Sequence, residues 1–425
     1  NRRSAARVPM QHIDWFNYGG LYRDVSLMRL PPVAIRQASA ALTADGKAIR
    51  FKVSLDSAAS LTGRIRVPAL GIDAALPIRA GAGETSVAFT GQFWSPETPV
   101  CYEVIVEAGD DRFRDRIGFR TIATSGTDIV LNGRKLWLKG VCVHEDDRGL
   151  GKVSTEADVR RRFRHLRELG ANFARLSHYP HHEHVARIAD EEGILLWAEV
   201  PVYWAIAFDN PETLGDAENQ LSELIRRDIN RASIILWGVG NENADTDARL
   251  AFMSRLAHLA KALDPSRLVS AACLINRETF TIEDRLAEHL DVIGLNEYFG
   301  WYEPDFSGLD RLLAHSAPDR PVIISETGAD AVPGHRASGR VLFTEDWQAE
   351  FYRQQMARII DAPYVAGMAA WLLYDFRTER RQTGFQRGWN RKGLIAEDKA
   401  TKKLAFSVLA EAFAGLGKDG TPAAR

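Results

Sequence analysis

The chain has 425 residues, 45% apolar and 26% charged, the composition of a globular protein long enough for two or three domains. A formal net charge of −2 supplies no positive field for nucleic acid or a membrane surface, and no apolar run approaches the length of a membrane span. Cys101, Cys142 and Cys273 are odd in number and widely spaced, which fits three buried thiols better than a disulfide framework or a zinc site.

Residues 1–32 read as the end of a domain. Asn1–Arg7 is basic but leads into no hydrophobic stretch, so it is not read as a signal peptide, and the cytoplasm is the expected compartment. After the Gly19-Gly20 turn, Leu21, Arg23, Val25 and Leu27 alternate with Tyr22, Asp24 and Ser26, which predicts a strand; Pro31-Pro32 marks a boundary. Residues 33–125 are a run of short alternating segments, among them Ile49–Leu55, Leu61–Val67 and Tyr102–Val106. Turn signals such as Ala44–Gly46 and Gly109–Asp111 separate them. With no helical period, this predicts a small all-β sandwich that carries no chemistry.

Residues 126–425 alternate strand and helix. Strands are expected at Leu136–His144, Asn172–Ser177, Ile194–Glu199, Ser233–Asn241, Leu268–Ala272, Asp291–Leu295, Pro321–Ser325 and Val365–Leu373. Between them, Thr155–Asp158 opens a helix as a capping box, and Val159, Phe163, Leu166 and Leu169 share one face of it. Further helices are expected at His182–Glu192, Leu214–Asp228 and Ala248–Leu263, and a last one at Lys402–Phe413. Eight such repeats predict a TIM barrel.

The anchor of this reading is Ser233–Asn243. Ile234, Ile235, Leu236, Trp237 and Val239 leave no polar alternation, so both faces of the strand should be covered. Gly238 and Gly240 would let the backbone bend or approach a ligand, and the strand stops on Asn241-Glu242, where parallel α/β folds place their chemistry. Pro321–Gly328 repeats the plan and ends on Glu326. Two strand-end carboxylates facing one bond, one giving a proton while the other attacks, are what glycoside hydrolysis needs.

Other strand ends supply His144-Glu145-Asp146, Ser177–Pro180, Glu199, Asn296–Tyr302 and Trp371. A rim with Tyr298, Trp301 and Trp371 among amides and carboxylates suits a sugar. His144 and His178 read as pocket hydrogen bonders, because no spaced partner set accompanies them as metal ligands. Glu199 reads as a supporting acceptor. Arg377, Arg380, Arg381, Arg387, Arg391 and Lys392 make the loop after strand eight basic, with Glu379 as its one acid. Such a loop is either a solvated charged loop or a receptor for an anionic substrate group.

These segments resemble glycoside hydrolase family 2, the family of β-galactosidases, β-glucuronidases and β-mannosidases. Asp14–Arg23 resembles the closing strand of the family's N-terminal sugar-binding sandwich, and residues 33–125, with Phe93–Glu97, resemble its immunoglobulin-like domain. Gly140–Glu145, Ser177–Pro180, Gly240–Glu242 and Ser325–Gly328 resemble its barrel motifs. The resemblance implies Glu242 as general acid/base, Glu326 as nucleophile, and Asn241 on the sugar 2-hydroxyl. It places Asp14, His144, His178, Tyr298 and Trp371 around the glycone, and implies no metal or cofactor. It also implies retention of configuration, with the carboxyls about 5–5.5 Å apart. Leu295–Tyr302, Trp371–Phe376 and Asn390–Gly393 are most similar to the β-glucuronidases, in which Asn390 and Lys392 would hold the uronate carboxylate. Glu297 would stand beside that carboxylate unless it points away. A β-galactosidase of the same family is the near alternative. A catalytically silent carbohydrate-binding remnant is the distant one, because only thirteen residues precede Asp14 where the family has a whole domain. A homo-oligomer is expected.

Overall fold

The computed structural model describes residues 4–421, so the start of the basic stretch Asn1–Arg7 and the last four residues lie outside it. Its first regular unit is a seven-stranded antiparallel sheet: β1 (Ile35–Leu42), β2 (Ala48–Leu55), β3 (Leu61–Val67), β4 (Ile72–Arg79), β5 (Ala82–Ala88), β6 (Tyr102–Ala108) and β7 (Asp111–Ile117). The order is β1-β2-β5-β4-β3-β6-β7. β4 and β5 pair only through Ile78–Gly83 and Arg79–Ala82 beside their turn, so the sheet is free to fold over along that line. Alternation along each strand then turns Ile49, Phe51 and Val53 of β2 toward Ile65 and Val67 of β3 and Val104 and Val106 of β6 in one core.

This unit is bolted to the barrel by buried polar contacts. Asn230 accepts from the Ala40 amide (3.0 Å) and donates to the Ala38 carbonyl (2.9 Å), taking the place of a strand beside β1. Arg120 donates to the carbonyls of Ala232, Ser266 and Ile234, and the Trp94 indole donates to the Asp190 carbonyl at 2.8 Å. Residues 122–136 then form a small three-stranded sheet that leads into the barrel.

The barrel is closed by eight parallel strands, Leu138–Val143, Phe173–Leu176, Leu195–Glu199, Ile234–Asn241, Leu268–Cys273, Val292–Asn296, Val322–Thr327 and Val365–Ala370. Every residue of the fourth, sixth and seventh strands is buried, as continuous apolar runs require when helices cover the outside and side chains fill the inside. Thr155 caps its helix reciprocally with Asp158, and Val159, Phe163 and Leu166 of that helix are buried against the barrel. No helix among the described residues is long and apolar enough to cross a membrane.

Three expectations need correction. Leu21–Met28 forms no strand: no neighbouring edge pairs with it, and Leu21, Val25, Leu27 and Met28 are exposed. Gly238 and Gly240 make room for side chains rather than for a ligand. A Cβ at Gly238 would lie 2.2 Å from the Trp197 indole, and one at Gly240 would lie 2.3 Å from Met253 Cε. Cys142 and Cys273 are buried, whereas Cys101 is only partly so; all three are free.

Candidate active site

The C-terminal rim of the barrel is organised around Arg175, an arginine in the middle of the short buried strand Phe173–Leu176. Its guanidinium lies over the Trp197 ring in the barrel interior, 4.9 Å from the ring centre. It donates to Glu199 through Nε (3.0 Å) and Nη2 (3.1 Å), to Glu326 Oε1 at 2.9 Å, and to Asn241 Oδ1 at 2.7 Å. Burying a cation costs several kcal/mol unless carboxylates and hydrogen bonds surround it, and here two carboxylates do. Burial works against ionisation of Glu199, but Arg175 and His178 outweigh it and hold this carboxyl below the usual range. His178 Nδ1 lies 2.7 Å from Glu199 Oε1, and burial depresses the imidazole, so a neutral ring with its proton on Nδ1 fits the contact.

Glu326 is the last residue but one of the seventh strand and is paired in register with Asn296 of the sixth. Its second oxygen accepts from the Tyr298 hydroxyl at 2.7 Å. Burial raises this carboxyl, to about 8; Arg175 and Tyr298 pull against the rise, and the charge of Glu242 adds to it. Glu242 follows the fourth strand with φ of 51°, a left-handed backbone uncommon for any residue but glycine. Its Oε1 accepts from Asn296 Nδ2 at 2.9 Å and its Oε2 from the Trp204 indole at 2.7 Å. Asn296 therefore connects Glu242 to Arg175, which in turn holds Glu326. It also donates to Asn241 (3.1 Å) and accepts from Ser325 (2.8 Å) and Arg175 (3.4 Å).

The remaining expected residues gather on the same rim. His144 stacks on Phe376 and meets Trp371 edge-on, its Nδ1 lies 3.1 Å from the Tyr179 hydroxyl, and its buried Nε2 has no partner among the described residues. Trp371 stacks on His178 with ring centres 5.2 Å apart. Asp14 comes from the segment expected to be a strand, which instead runs as a strap across the barrel mouth. Trp15 packs among His144, His178, Tyr179 and Tyr203; the Tyr18 hydroxyl donates to Asp146 at 2.6 Å, and Arg23 pairs with Glu145. Asp14 itself accepts from Arg381 Nη2 at 2.6 Å and from Thr378 at 2.9 Å.

The basic loop is less free than its composition suggests, because Arg391 pairs with Asp375 and Glu397, Arg381 with Asp14, and Lys392 with Asp330 at 2.5 Å. Lys392 is almost wholly buried, with the ring centres of Trp301 and Tyr302 each 5.2 Å from Nζ. Asn390 accepts from the Lys392 amide at 3.2 Å, while its buried Nδ2 is unpaired among the described residues. Glu297 points away from this cluster. It accepts from the Phe299 amide (3.1 Å) and Gln355 (3.2 Å), and burial raises it to about 7. The one group of three potential metal ligands among the described residues, Asp24, His182 and His184, includes neither His144 nor His178.

The sequence reading missed Arg175, the bridge made by Asn296, and Trp204. Arg175 had a usable signal, since a charge inside a four-residue buried strand requires a buried anion. Trp204 had none, because it lies in an irregular loop after the third strand.

Residues 122–413 match the TIM barrel domain of glycosyl hydrolases family 2. A β-glucuronidase of Paenibacillus borealis is 29% identical over 94% of this chain and 70% of its own length; human β-glucuronidase is 28% identical over 94% and 64%. Among solved structures, a β-galacturonidase of Eisenbergiella tayi bound to galacturonate has 30% identity and a TM-score of 0.87, covering 98% of this chain and 78% of that one. A Ruminococcus gnavus β-glucuronidase in complex with uronic isofagomine has 26% identity and a TM-score of 0.86, over 97% and 76%. An eight-stranded barrel with strand-end glutamates on one hydrogen-bonded network and this match over most of its length lead to one conclusion: the chain belongs to family 2 of the glycosyl hydrolases and is a glycoside hydrolase.

Proposed function

We propose that the enzyme is a retaining exo-β-uronidase, most simply a β-glucuronidase, with Glu326 as nucleophile and Glu242 as acid/base. In the first step the Glu326 carboxylate bonds to C1 while Glu242 gives its proton to the departing oxygen. In the second, Glu242 takes a proton from water, the water oxygen bonds to C1, and Glu326 leaves. The partners of the two groups suit these roles, with Arg175 and Tyr298 working against the burial that raises Glu326. Glu326 is buried and gripped by Arg175 and Tyr298, whereas Glu242 is only partly buried, between Asn296 and Trp204. Asn241 spends its oxygen on Arg175 and Asn296, which leaves its amino group for a sugar hydroxyl.

The observation that carries the uronate reading is the buried Lys392 beside the unpaired amide of Asn390. An unpaired buried donor costs about 1–3 kcal/mol, a cost that a carboxylate bound at Asn390 would remove. Glucuronides and galacturonides share that carboxylate and differ at C4. The likeness to a galacturonate-bound structure supports the galacturonide as the second substrate to try. Nitrophenyl β-glucuronide, β-galacturonide, β-glucoside and β-galactoside, compared by kcat/KM, test the reading: a preference for either neutral sugar removes it. With this function we read the seven-stranded sheet as the family's immunoglobulin-like sandwich and residues 126–425 as the catalytic domain.

A further inference from the structure

We propose that Arg380, held on the Trp204 indole, makes the leaving-group side of the site a receptor for a carboxylate. The preferred substrates then carry a negative charge on the unit that is released. This rests on Glu242 as the acid/base and not on which sugar the enzyme takes. The departing oxygen has to come within hydrogen-bond reach of a Glu242 oxygen to receive its proton. Glu242 Oε1 accepts from Asn296 and Oε2 from the Trp204 indole. Asn296 is buried among Asn241, Ser325 and Arg175. Trp204 is only half-buried, so the released group has its way out along Trp204.

Trp204 is a fixed wall. Its φ of 53° is a left-handed backbone that a bulky side chain rarely adopts. Its amide donates to the Asn241 carbonyl at 2.9 Å, and its own carbonyl accepts from Asn243 Nδ2 at 2.7 Å. Tyr203 packs against the indole with ring centres 4.4 Å apart, and the guanidinium carbon of Arg380 lies 5.0 Å from the indole ring centre. The ring is thus already covered, and the surface it offers a ligand is the guanidinium. Arg381, Arg391 and Lys392 of the same loop each pair with a carboxylate, whereas Arg380 is exposed and has no ion pair among the described residues. Stacking on an indole engages the face of a guanidinium and leaves its N–H edges free, and those edges match a carboxylate with two parallel hydrogen bonds. A neutral leaving group makes no use of them. The substrate class is therefore a glycoside of a carboxylate-bearing alcohol or phenol, a second uronic acid included.

The competing account is that Arg380 only braces Trp204 and, through it, Glu242. The two accounts separate in the full chain with a pair of substrates, a nitrophenyl glycoside and its carboxynitrophenyl analogue, on whichever sugar the enzyme prefers. The ratio of their kcat/KM values, compared between proteins, cancels the intrinsic reactivity of the two leaving groups. Arg380→Gln removes the charge at an exposed position. We expect it to lower the rate on the carboxylated substrate by about threefold to tenfold and to change the rate on the other by less than about twofold. Arg380→Lys, which keeps a charge without the fork, should retain part of the preference. Raising the salt to about 0.5 M should erode the preference of the wild type and not that of Arg380→Gln. Disaccharides that join the same sugar to a uronic acid or to a neutral hexose, measured the same way, identify the source of the carboxylate. A response in that pair points to an acidic saccharide, and a response in the aryl pair alone points to an acidic aglycone. Equal losses on both members of each pair would make Arg380 a brace and overturn the proposal, and ratios that Arg380→Gln leaves unchanged would overturn it outright. Failure of azide to rescue Glu242→Ala would instead remove the acid/base reading beneath it, and that result does not involve Arg380.

Discussion

Arg175 donates to Glu326 at 2.9 Å and to both oxygens of Glu199, so one buried cation holds two carboxylates of the rim in place. Replacing it by methionine keeps the bulk and strands Glu199 and Glu326 without a counter-charge. Breaking a buried pair in this way costs roughly 3–5 kcal/mol. Arg175→Met should lower the thermal unfolding midpoint by several degrees and abolish turnover, and Arg175→Lys should recover stability better than activity because it cannot reach every partner. A methionine variant with wild-type unfolding and rate would show that the network is not what organises the site.

The division of labour between the two glutamates is separable by chemistry. Glu326→Gln should abolish turnover, and the wild type should trap a covalent adduct on Glu326 with a 2-fluoro glycoside, located by peptide mass spectrometry. Glu242→Ala should lose most activity on poor leaving groups and keep part of it on activated aryl glycosides, which need no proton. Azide should restore turnover in that variant and give the β-azide. An adduct on Glu199, or an α-azide, would reverse the assignment.

If Glu326 is the nucleophile, Tyr298 should set the acid side of the pH profile. Its hydroxyl donates to Glu326 at 2.7 Å and so favours the ionised carboxyl, against burial that pushes the group up to about 8. Tyr298→Phe removes a donor that lowers this pKa, so the pKa rises. Because the ionised form attacks, the acid limb of kcat/KM must move to higher pH. A hydrogen bond to a charged group is worth about 1.5–3 kcal/mol, which corresponds to a shift of about one to two pH units. A limb that stays fixed, or moves to lower pH, would separate Tyr298 from the ionisation of Glu326.

Much of this was legible in the chain, and the failures have a common cause. The eight barrel strands could be read because each is a buried run bounded by turn or cap residues, as at Ile234–Asn241 and Val322–Thr327. The placement of Glu242 and Glu326 on the rim could be read because strand ends point there. Leu21–Met28 failed because alternation predicts a strand only where an edge is available to pair with it. The pairing of Asp14 with Arg381, 367 residues apart, and of Glu242 with Asn296 and Trp204, is tertiary information that no local pattern carries.

Glu297 makes a linkage prediction that is independent of catalysis. Burial raises its folded-state pKa from the ordinary 4.5 to about 7, so between those values the folded chain binds more protons than the unfolded one. Its contribution to stability is therefore fully present below about pH 4.5 and is lost as pH rises to about 7, amounting to roughly 3 kcal/mol at most. Glu297→Gln is neutral throughout and keeps an acceptor for the Phe299 amide. The unfolding midpoint of the variant relative to wild type should rise between pH 5 and pH 8. A difference that does not vary with pH would mean that Glu297 is ionised, or that it stays protonated beyond this range.

Lys392 is the residue proposed to select the sugar, and its pairing with Asp330 sets which variant can test that role. Truncating the lysine alone leaves Asp330 buried and unpaired, which confounds specificity with folding. The double change Lys392→Met with Asp330→Asn removes both charges and leaves the bulk in place. If Lys392 grips a uronate, losing that charge-assisted contact costs roughly 2–5 kcal/mol. kcat/KM for the preferred uronide should then fall by about 30-fold to several thousand-fold. Turnover of the matching neutral glycoside should change little, because its hydroxymethyl group makes no use of the charge. Equal effects on the two substrates would make Lys392 a structural cation that only braces the loop after the eighth strand. The family assignment and the roles of the two glutamates would stand in either case, since neither depends on which group the glycone carries at C5.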